Sequence, residues 1–159
     1  REKEVSALKH LIEDAVSATK AAITEGIVPG GGTILVKVAQ ELAKVKIEGQ
    51  EEDKLGYQIV MKALGAPLKQ IAANAGNNDG SAIVMQVEQG GPNIGYSSIE
   101  DKIIPDMISA GIIDPVKVTR TALRNAISAA AMLLTTEVAI ADEPKDDKPD
   151  IPHNPGMDY

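Results

Sequence analysis

Residues 21–32 read AAITEGIVPGGG, and this stretch predicts the end of one helix, a short turn and the start of the next helix. Gly26 suits the residue that closes a helix. The three glycines at 30–32 are expected to leave backbone N–H groups bare at the positive end of the second helix, which is a typical phosphate site. The same glycines would also let two helices approach closely, so the stretch alone leaves both interpretations open.

The composition fits a single domain with a core of small aliphatic side chains. The chain has 159 residues, of which 43% are hydrophobic, with no Phe, no Trp and three Tyr. Because Ala and Gly fill little volume per residue, we expect further chain or other subunits to complete the burial of apolar surface.

Charge and apolar patterning argue against several classes of protein. The net charge is −7 and no basic patch is visible, so nucleic-acid binding is not expected. No apolar run approaches the ~20 residues of a membrane span, and no signal peptide is visible. The absence of Cys fits a reducing compartment such as the cytosol. Helical patterning that begins at Arg1 predicts a fragment or a cleaved product of a longer protein.

Apolar residues at helical spacing predict a mainly helical chain. In the first helix Val5, Leu8 and Ile12 lie on one face, and in the last helix Val118, Ala122 and Ala126 mark the face that is predicted to be buried. Asp114 is predicted to cap the last helix, which Pro115 would begin. The predicted helices cover residues 2–25, 32–46, 51–64, 66–74, 81–88 and 115–135.

The remaining segments are predicted to be short or irregular. Residues 94–104 suggest a small hairpin, 105–109 a short helix, and 137–141 a short strand that needs a partner strand. The tail at 142–159 is rich in Pro and Asp and is predicted to be disordered.

Two carboxylates are candidates for chemistry. Asp14 projects with alanines on its helix, where a carboxylate at a close interface could act on a metal or a water. The pattern alone favours an ordinary surface acid. The capping role of Asp114 likewise explains that residue without a ligand. The sequence contains no Walker-type loop and no nucleophile elbow.

Several short sequence motifs occur along the chain in an order that is typical of one protein family. They are EDA at 13–15, the glycine stretch at 21–32, APLKQI at 66–71, NAG at 74–76, GY at 95–96, AGIIDPVKVTR at 110–120 and TTE at 135–137. In this order they resemble the group I (GroEL-type) chaperonin family over about residues 1–141. The ordered set is far more specific than the glycine triplet alone.

The resemblance implies a mainly α, multihelical fold with a small β hairpin and a short C-terminal strand. Residues 1–24 resemble the C-terminal part of an intermediate domain, and residues 25–141 resemble the C-terminal half of an equatorial ATP-binding domain. The acidic tail at 142–159 departs from the Gly-Gly-Met repeats that are common in the family and keeps only Pro155-Gly156-Met157.

The resemblance also implies roles for individual residues. Asp14 is similar to the catalytic aspartate that positions the attacking water and the metal for ATP hydrolysis. Asp114 is similar to the acid that holds the ribose, and one residue more than usual separates it from Tyr96. The residues that resemble the family's other nucleotide contacts are Gly30, Gly31 and Gly32 in a turn beside the nucleotide, Ile71 and Ile112 against adenosine, and Ser97 and Ser98 near the adenine edge.

In function, the resemblance implies part of an ATP-dependent chaperonin that assists folding and refolding by enclosing nonnative polypeptides in a ring. Implied cofactors are ATP and Mg²⁺, with K⁺ as a further candidate. Implied partners are a homo-oligomer of two stacked seven-membered rings, a 10 kDa co-chaperonin and unfolded client proteins. Implied locations are the bacterial cytoplasm or an organelle matrix.

One part of the family pattern is absent from these 159 residues, the phosphate-binding Gly-Asp-Gly-Thr-Thr loop. Phosphoryl transfer needs groups that hold the metal and the terminal phosphates, so the isolated chain is expected not to hydrolyse ATP. Two alternatives stay open. The chain could be a non-catalytic helical interaction module or holdase, or a free-standing phosphate-binding enzyme supported only by the glycine triplet.

Overall fold

The computed structural model describes residues 2–142, and in that range the chain is mainly helical with two small antiparallel ladders. The fold class predicted from sequence is confirmed at this level. The elements in chain order are α1 Glu2–Glu25, β1 Ile27–Pro29, α2 Thr33–Ala43, α3 Glu51–Ala63, α4 Ala66–Asn74, α5 Ser81–Gln89, β2 Gly95–Ser97, β3 Lys102–Ile104, β4 Ile113–Pro115 and α6 Val116–Leu134.

Local chemistry sets most helix ends. Gly26 has φ +85° after α1, and its N–H donates to the Ala22 carbonyl at 2.7 Å, as expected of a helix-closing glycine. Gly32 precedes α2 in the left-handed region with φ +77°. A reciprocal capping box joins Gln50 to Asp53 at the start of α3, and the Gln50 N–H lies 3.1 Å from the Asp53 carboxylate.

The two ladders connect different parts of the chain. The predicted hairpin is present, with β2 antiparallel to β3 and Tyr96 opposite Ile103. The second ladder was not predicted. It pairs β1 with β4, far apart in sequence, and places Val28 opposite Asp114.

The core lies where α2, α4, α5 and β2 meet. Its fully buried cluster is contributed by all four of these elements, and Tyr96 provides its largest side chain. Ile71 on α4 is half-buried and packs against it. The members of the cluster are Val36, Leu68, Ala72, Val87 and Tyr96.

Two helices are far more exposed than their apolar stripes predict. Every residue of α1 from 3 to 20 is exposed, including Val5, Leu8 and Ile12, and only Ala21, Ala22 and Glu25 are half-buried. Every residue of α6 from 124 onward is also exposed. The predicted buried face of α6 is therefore wrong for the described residues, and the apolar stripe of α1 is likewise left uncovered by the described elements. No described helix combines the length and apolar character needed to span a membrane.

Three other predicted features differ from the structure. Residues 105–109 form turns rather than a helix, because the Asp106 carboxylate accepts N–H bonds from Ile108 and Ser109. Residues 137–141, predicted as a strand, are irregular and exposed, and no described strand pairs with them. Asp114 lies in β4 rather than at a helix cap. Of the predicted disordered tail, all but residue 142 lies outside the described residues.

Candidate functional site

The β1–β4 ladder brings the glycine turn against the segment that ends at Asp114. Where the ladder ends, the Gly30 N–H donates to the Ile112 carbonyl at 2.9 Å. The turn then closes with a bond of 3.1 Å from the Thr33 N–H to the Gly30 carbonyl. The structure thus places five residues of the sequence-predicted site together, namely Gly30, Gly31, Gly32, Ile112 and Asp114.

The three glycines differ in how closely neighbouring backbone packs against them. A Cβ on Gly30 would lie 3.0 Å from the Ile113 backbone, and a Cβ on Gly32 would lie 2.7 Å from the Leu68 nitrogen. The close-approach interpretation therefore holds at these two positions. Gly31 is less crowded, since a Cβ there would meet nothing nearer than 3.6 Å, although its φ of +64° still favours glycine.

Three amides of this turn have hydrogen-bond partners within the protein. The Gly30 and Thr33 N–H groups have carbonyl partners, and the Gly31 N–H donates to the Asp114 carboxylate. The bare N–H groups that the sequence predicted are therefore not found at Gly30 and Gly31, and a phosphate site at the amides that follow in the first turn of α2 stays a prediction. The turn instead uses the Gly31 amide to hold the carboxylate of Asp114, which lies on the neighbouring strand β4.

Asp114 is the electrostatic centre of this arrangement. Its side chain is half-buried, and burial raises the pKa of the carboxyl above its usual 3.8, partly offset by the Gly31 N–H. The predicted helix cap does not form, because pairing with Val28 keeps Asp114 extended. Pro115 takes the cap position of α6 without a side-chain cap bond. The Asp114 carboxylate is therefore free to accept a hydrogen bond from a ligand hydroxyl.

The residues predicted near the base lie on other elements. Ser97 is buried in β2, and its Oγ accepts the Glu100 N–H at 3.3 Å, whereas Ser98 is exposed in the turn that follows. Ile112 is half-buried beside the glycine turn. No hydrogen bond among the described residues joins Ser97 or Ser98 to that turn.

Asp14 stands apart from this group. It is exposed in the middle of α1, eleven residues before the helix ends, which is about 16 Å along the axis. Among residues 2–142 no group of three or more acids, His or Cys comes together as a metal site. The described residues therefore bring no second or third ligand of these types to Asp14, and its metal role stays a prediction.

Sequence reasoning missed two residues on α2 beside the turn. Thr33 is fully buried, and its hydroxyl is without a hydrogen-bond partner in the described part of the chain. Lys37 is 9% exposed, and its Nζ donates to the carbonyls of Val87 and, at 3.1 Å, Gly90. Burial lowers the pKa of Lys37 below its usual 10.5. The i, i+4 spacing of a hydroxyl and a lysine among apolar residues was the available signal.

Sequence reasoning also missed an ion pair that fixes α1 to the rest of the fold. Arg120 donates from Nε and Nη2 to the two oxygens of Glu25, at 3.1 and 2.6 Å. The Val116 N–H adds a bond of 3.1 Å to the Gly26 carbonyl. This joint lies next to β1 and β4 and therefore supports the glycine turn from one side.

Comparison with known proteins gives two findings. A family model described as the TCP-1/cpn60 chaperonin family matches residues 1–144. A structure of the open-state monomer of a group II chaperonin from Methanococcoides burtonii is similar, with a TM-score of 0.69 and 25% sequence identity. The match covers 85% of this chain and 34% of that one, so the chain spans about a third of the length of this relative.

Proposed function

The chain belongs to the TCP-1/cpn60 chaperonin family, and on that premise we propose that it supplies one wall of the nucleotide pocket of an ATP-driven protein-folding machine. The parent protein would bind nonnative polypeptides, enclose them in a ring and release them as ATP is hydrolysed. The chaperone activity, the ATP dependence and the ring all belong to this proposal.

One observation supports the nucleotide pocket above the others. The β1–β4 ladder gathers a glycine turn, a half-buried aliphatic side chain and a half-buried acid, Asp114, at one end of α2. An acid that accepts hydroxyl hydrogen bonds suits a ribose, and an apolar contact suits the base. Since the Gly30 and Gly31 amides already have partners, most of the phosphate contacts would come from elsewhere in the parent protein.

In this proposal each residue of the wall has a defined task. Asp114 would accept a hydrogen bond from a ribose hydroxyl while the Gly31 N–H holds the carboxylate in place. Ile112 would pack against the nucleoside, and crowding at Gly30 and Gly32 would keep the turn rigid. Bound ATP supplies the phosphoryl group that is transferred to water. Mg²⁺, K⁺ and the role of Asp14 remain expectations from the family resemblance.

We further propose that the parent is a group I chaperonin of two stacked seven-membered rings, in a bacterial cytoplasm or an organelle matrix. This assignment is supported by the ordered sequence phrases. The similarity to a group II structure at 25% identity is compatible with it, because the two share the family fold. A group I chaperonin should require the 10 kDa co-chaperonin for refolding of a stringent client.

ATP turnover and refolding of a chemically unfolded client by the full-length protein, with and without the co-chaperonin, test these assignments. The proposal expects ATP-dependent refolding, and an Asp114→Ala variant should bind ATP less tightly. A full-length protein that never binds ATP would overturn the nucleotide pocket. The 159-residue chain, assayed alone, is expected to show no metal-dependent ATP turnover.

A second candidate function rests on the exposed apolar side chains of α1. Val5, Leu8 and Leu11 are each more than half exposed, as a surface that holds nonnative chains would require. In this case the chain would act as a holdase without nucleotide. Suppression of client aggregation by the isolated chain, unaffected by ATP, would favour this function over the first.

A further inference from the structure

Lys37 lies on the same face of α2 as Thr33, one helical turn further from the glycines. Its side chain reaches the end of α5, where Nζ donates to the Val87 and Gly90 carbonyls. Gln40, almost one turn further along, donates from Nε2 to the Glu88 carbonyl. Two side chains on one face of α2 therefore bind three backbone carbonyls at the end of α5, those of Val87, Glu88 and Gly90.

Those carbonyls are a suitable place for a buried cation. The last carbonyls of a helix have no partners within the helix and carry the negative end of its dipole. Glu88 adds a further negative charge that favours the ammonium form. A lysine that is 9% exposed thus keeps hydrogen-bond partners and a favourable field, although burial lowers its pKa.

Backbone hydrogen bonds continue from this contact back to the glycine turn. After Gly90, Asn93 accepts the Met107 N–H at 3.0 Å, and Met107 accepts the Ile112 N–H at 2.9 Å. Ile112 in turn accepts the Gly30 N–H at 2.9 Å. Together with α2 itself, these contacts form a closed ring that begins and ends at the turn.

Inside this ring the glycine turn packs directly against β2, since a Cβ on Gly31 would lie 3.6 Å from the Tyr96 carbonyl oxygen. A Cβ on Gly95 would collide with the Thr33 hydroxyl and would lie 2.6 Å from Met107 Cγ. Gly95 begins the strand that carries Ser97, the residue expected near the adenine edge. The glycine turn and this strand are therefore in direct contact, and they keep their relative position only while α2 stays packed against its neighbours, which include the end of α5.

We propose that Lys37 is a positioning residue for the nucleotide pocket, because it holds α2, and with it the glycine turn that precedes α2, against the end of α5. The proposal rests on the proposed function of the pocket. Lys37 touches no nucleotide in this arrangement, since its ammonium group is bound to carbonyls at the far side of the ring. Its removal should weaken nucleotide binding without changing the reacting groups.

The test uses the full-length protein that carries this sequence. Lys37→Met keeps the apolar stem and removes the donors, and we expect the KM for ATP to rise roughly tenfold while kcat per folded subunit stays within about twofold. Lys37→Arg keeps a cation that can donate to both carbonyls, so it should restore most of the affinity. Lys44→Met is the matched control, because Lys44 is an exposed lysine at the C-terminal cap of α2 and its Nζ pairs with the Glu41 carboxylate at 2.6 Å.

Several results would overturn the inference. A lower melting temperature with an unchanged KM would mean that Lys37 serves stability alone, and failure of Lys37→Arg to restore affinity would exclude the role of its cation. If Lys37→Met does not fold, Gln40→Met decides, since it removes only the bond to Glu88 and should raise KM by a smaller factor. An unsubstituted protein that does not bind ATP would overturn the proposed function itself, whereas equal binding by Lys37→Met overturns only the role of Lys37.

Discussion

The Gly30 N–H donates to the Ile112 carbonyl at 2.9 Å, and this bond joins two segments that the sequence keeps far apart. It holds the glycine turn beside β4, so the Gly31 amide reaches the Asp114 carboxylate. The chemistry expected of this site therefore depends on a tertiary contact rather than on the glycine stretch alone.

Asp114→Asn should separate stability from ligand binding. Asn keeps an acceptor for the Gly31 N–H and removes a charge that burial disfavours, so the melting temperature without nucleotide should stay the same or rise. Affinity for ATP should fall roughly tenfold, because a neutral acceptor binds a hydroxyl more weakly than a carboxylate does. Thermal unfolding and nucleotide titration of the full-length protein measure the two effects.

The same pair of proteins gives a pH test. Because the folded-state pKa of Asp114 is raised above 3.8, the native protein binds this proton more tightly than the unfolded chain does. The stability that protonated Asp114 contributes is thus lost as the pH rises from 3.8 through the folded-state pKa. The advantage of Asp114→Asn should appear over that window and vanish at lower pH, and a constant difference at every pH would contradict the assignment.

Alanine at two glycines should distinguish strain from crowding. Gly26 and Gly32 both have positive φ, but a Cβ on Gly26 meets nothing within 4 Å, whereas one on Gly32 lies 2.7 Å from the Leu68 nitrogen. We expect Gly26→Ala to cost about 1 kcal/mol of unfolding free energy and Gly32→Ala about 2–4 kcal/mol. Chemical denaturation measures the free energy of unfolding of both variants. Equal losses would show that the backbone near Leu68 shifts to make room for the added methyl group.

Thr33→Val should stabilise the fold. The Thr33 hydroxyl is fully buried with no partner in the described range, and Val has nearly the same shape. Removing an unsatisfied polar group should raise the free energy of unfolding by about 1 kcal/mol. Thr19→Val is the control, since the exposed Thr19 hydroxyl donates to the Ala15 carbonyl at 2.7 Å and should change stability little. A loss of stability in Thr33→Val would instead indicate that a bound water satisfies the hydroxyl.

Glu25→Gln should weaken the joint between α1 and α6 in a pH-dependent way. The hydrogen bond from Arg120 holds the pKa of Glu25 below its usual 4.5, so the pair contributes stability above pH 4.5 and loses it as the pH falls through the lowered value. Melting temperatures of the native and Glu25→Gln proteins should differ at pH 7 and converge in acid. Glu13→Gln, which removes exposed pairs with Lys9 at 3.7 Å and His10 at 3.5 Å, should differ little at either pH.

Features that depend on neighbouring residues were predictable from the sequence. The ends of α1 and α4 follow from Gly26 and Gly76, which both have positive φ. The hairpin between Gly95 and Ile104 was also expected. In each case the information lies within a few residues of the feature, because glycine geometry and turn chemistry are local.

Features that depend on distant residues were not predictable from the sequence. Ile27–Pro29 is too short to show strand periodicity, and it becomes a strand only because Ile113–Pro115 pairs with it. The same pairing overrides the capping preference of Asp114. The apolar stripe of α1 predicts that something covers it, but no pattern in the sequence shows whether that partner lies within residues 2–142.

The pairing of β1 with β4 also has a consequence for how the polypeptide is made. A ribosome releases the glycine turn long before it releases Ile113–Pro115, so the turn waits without its partner strand while four helices and the hairpin emerge. Closing such a long loop is slow compared with forming a helix. The site should therefore be among the last regions of the nascent chain to gain protection from proteases, and a transcript truncated before codon 113 should yield a chain with folded helices and no site.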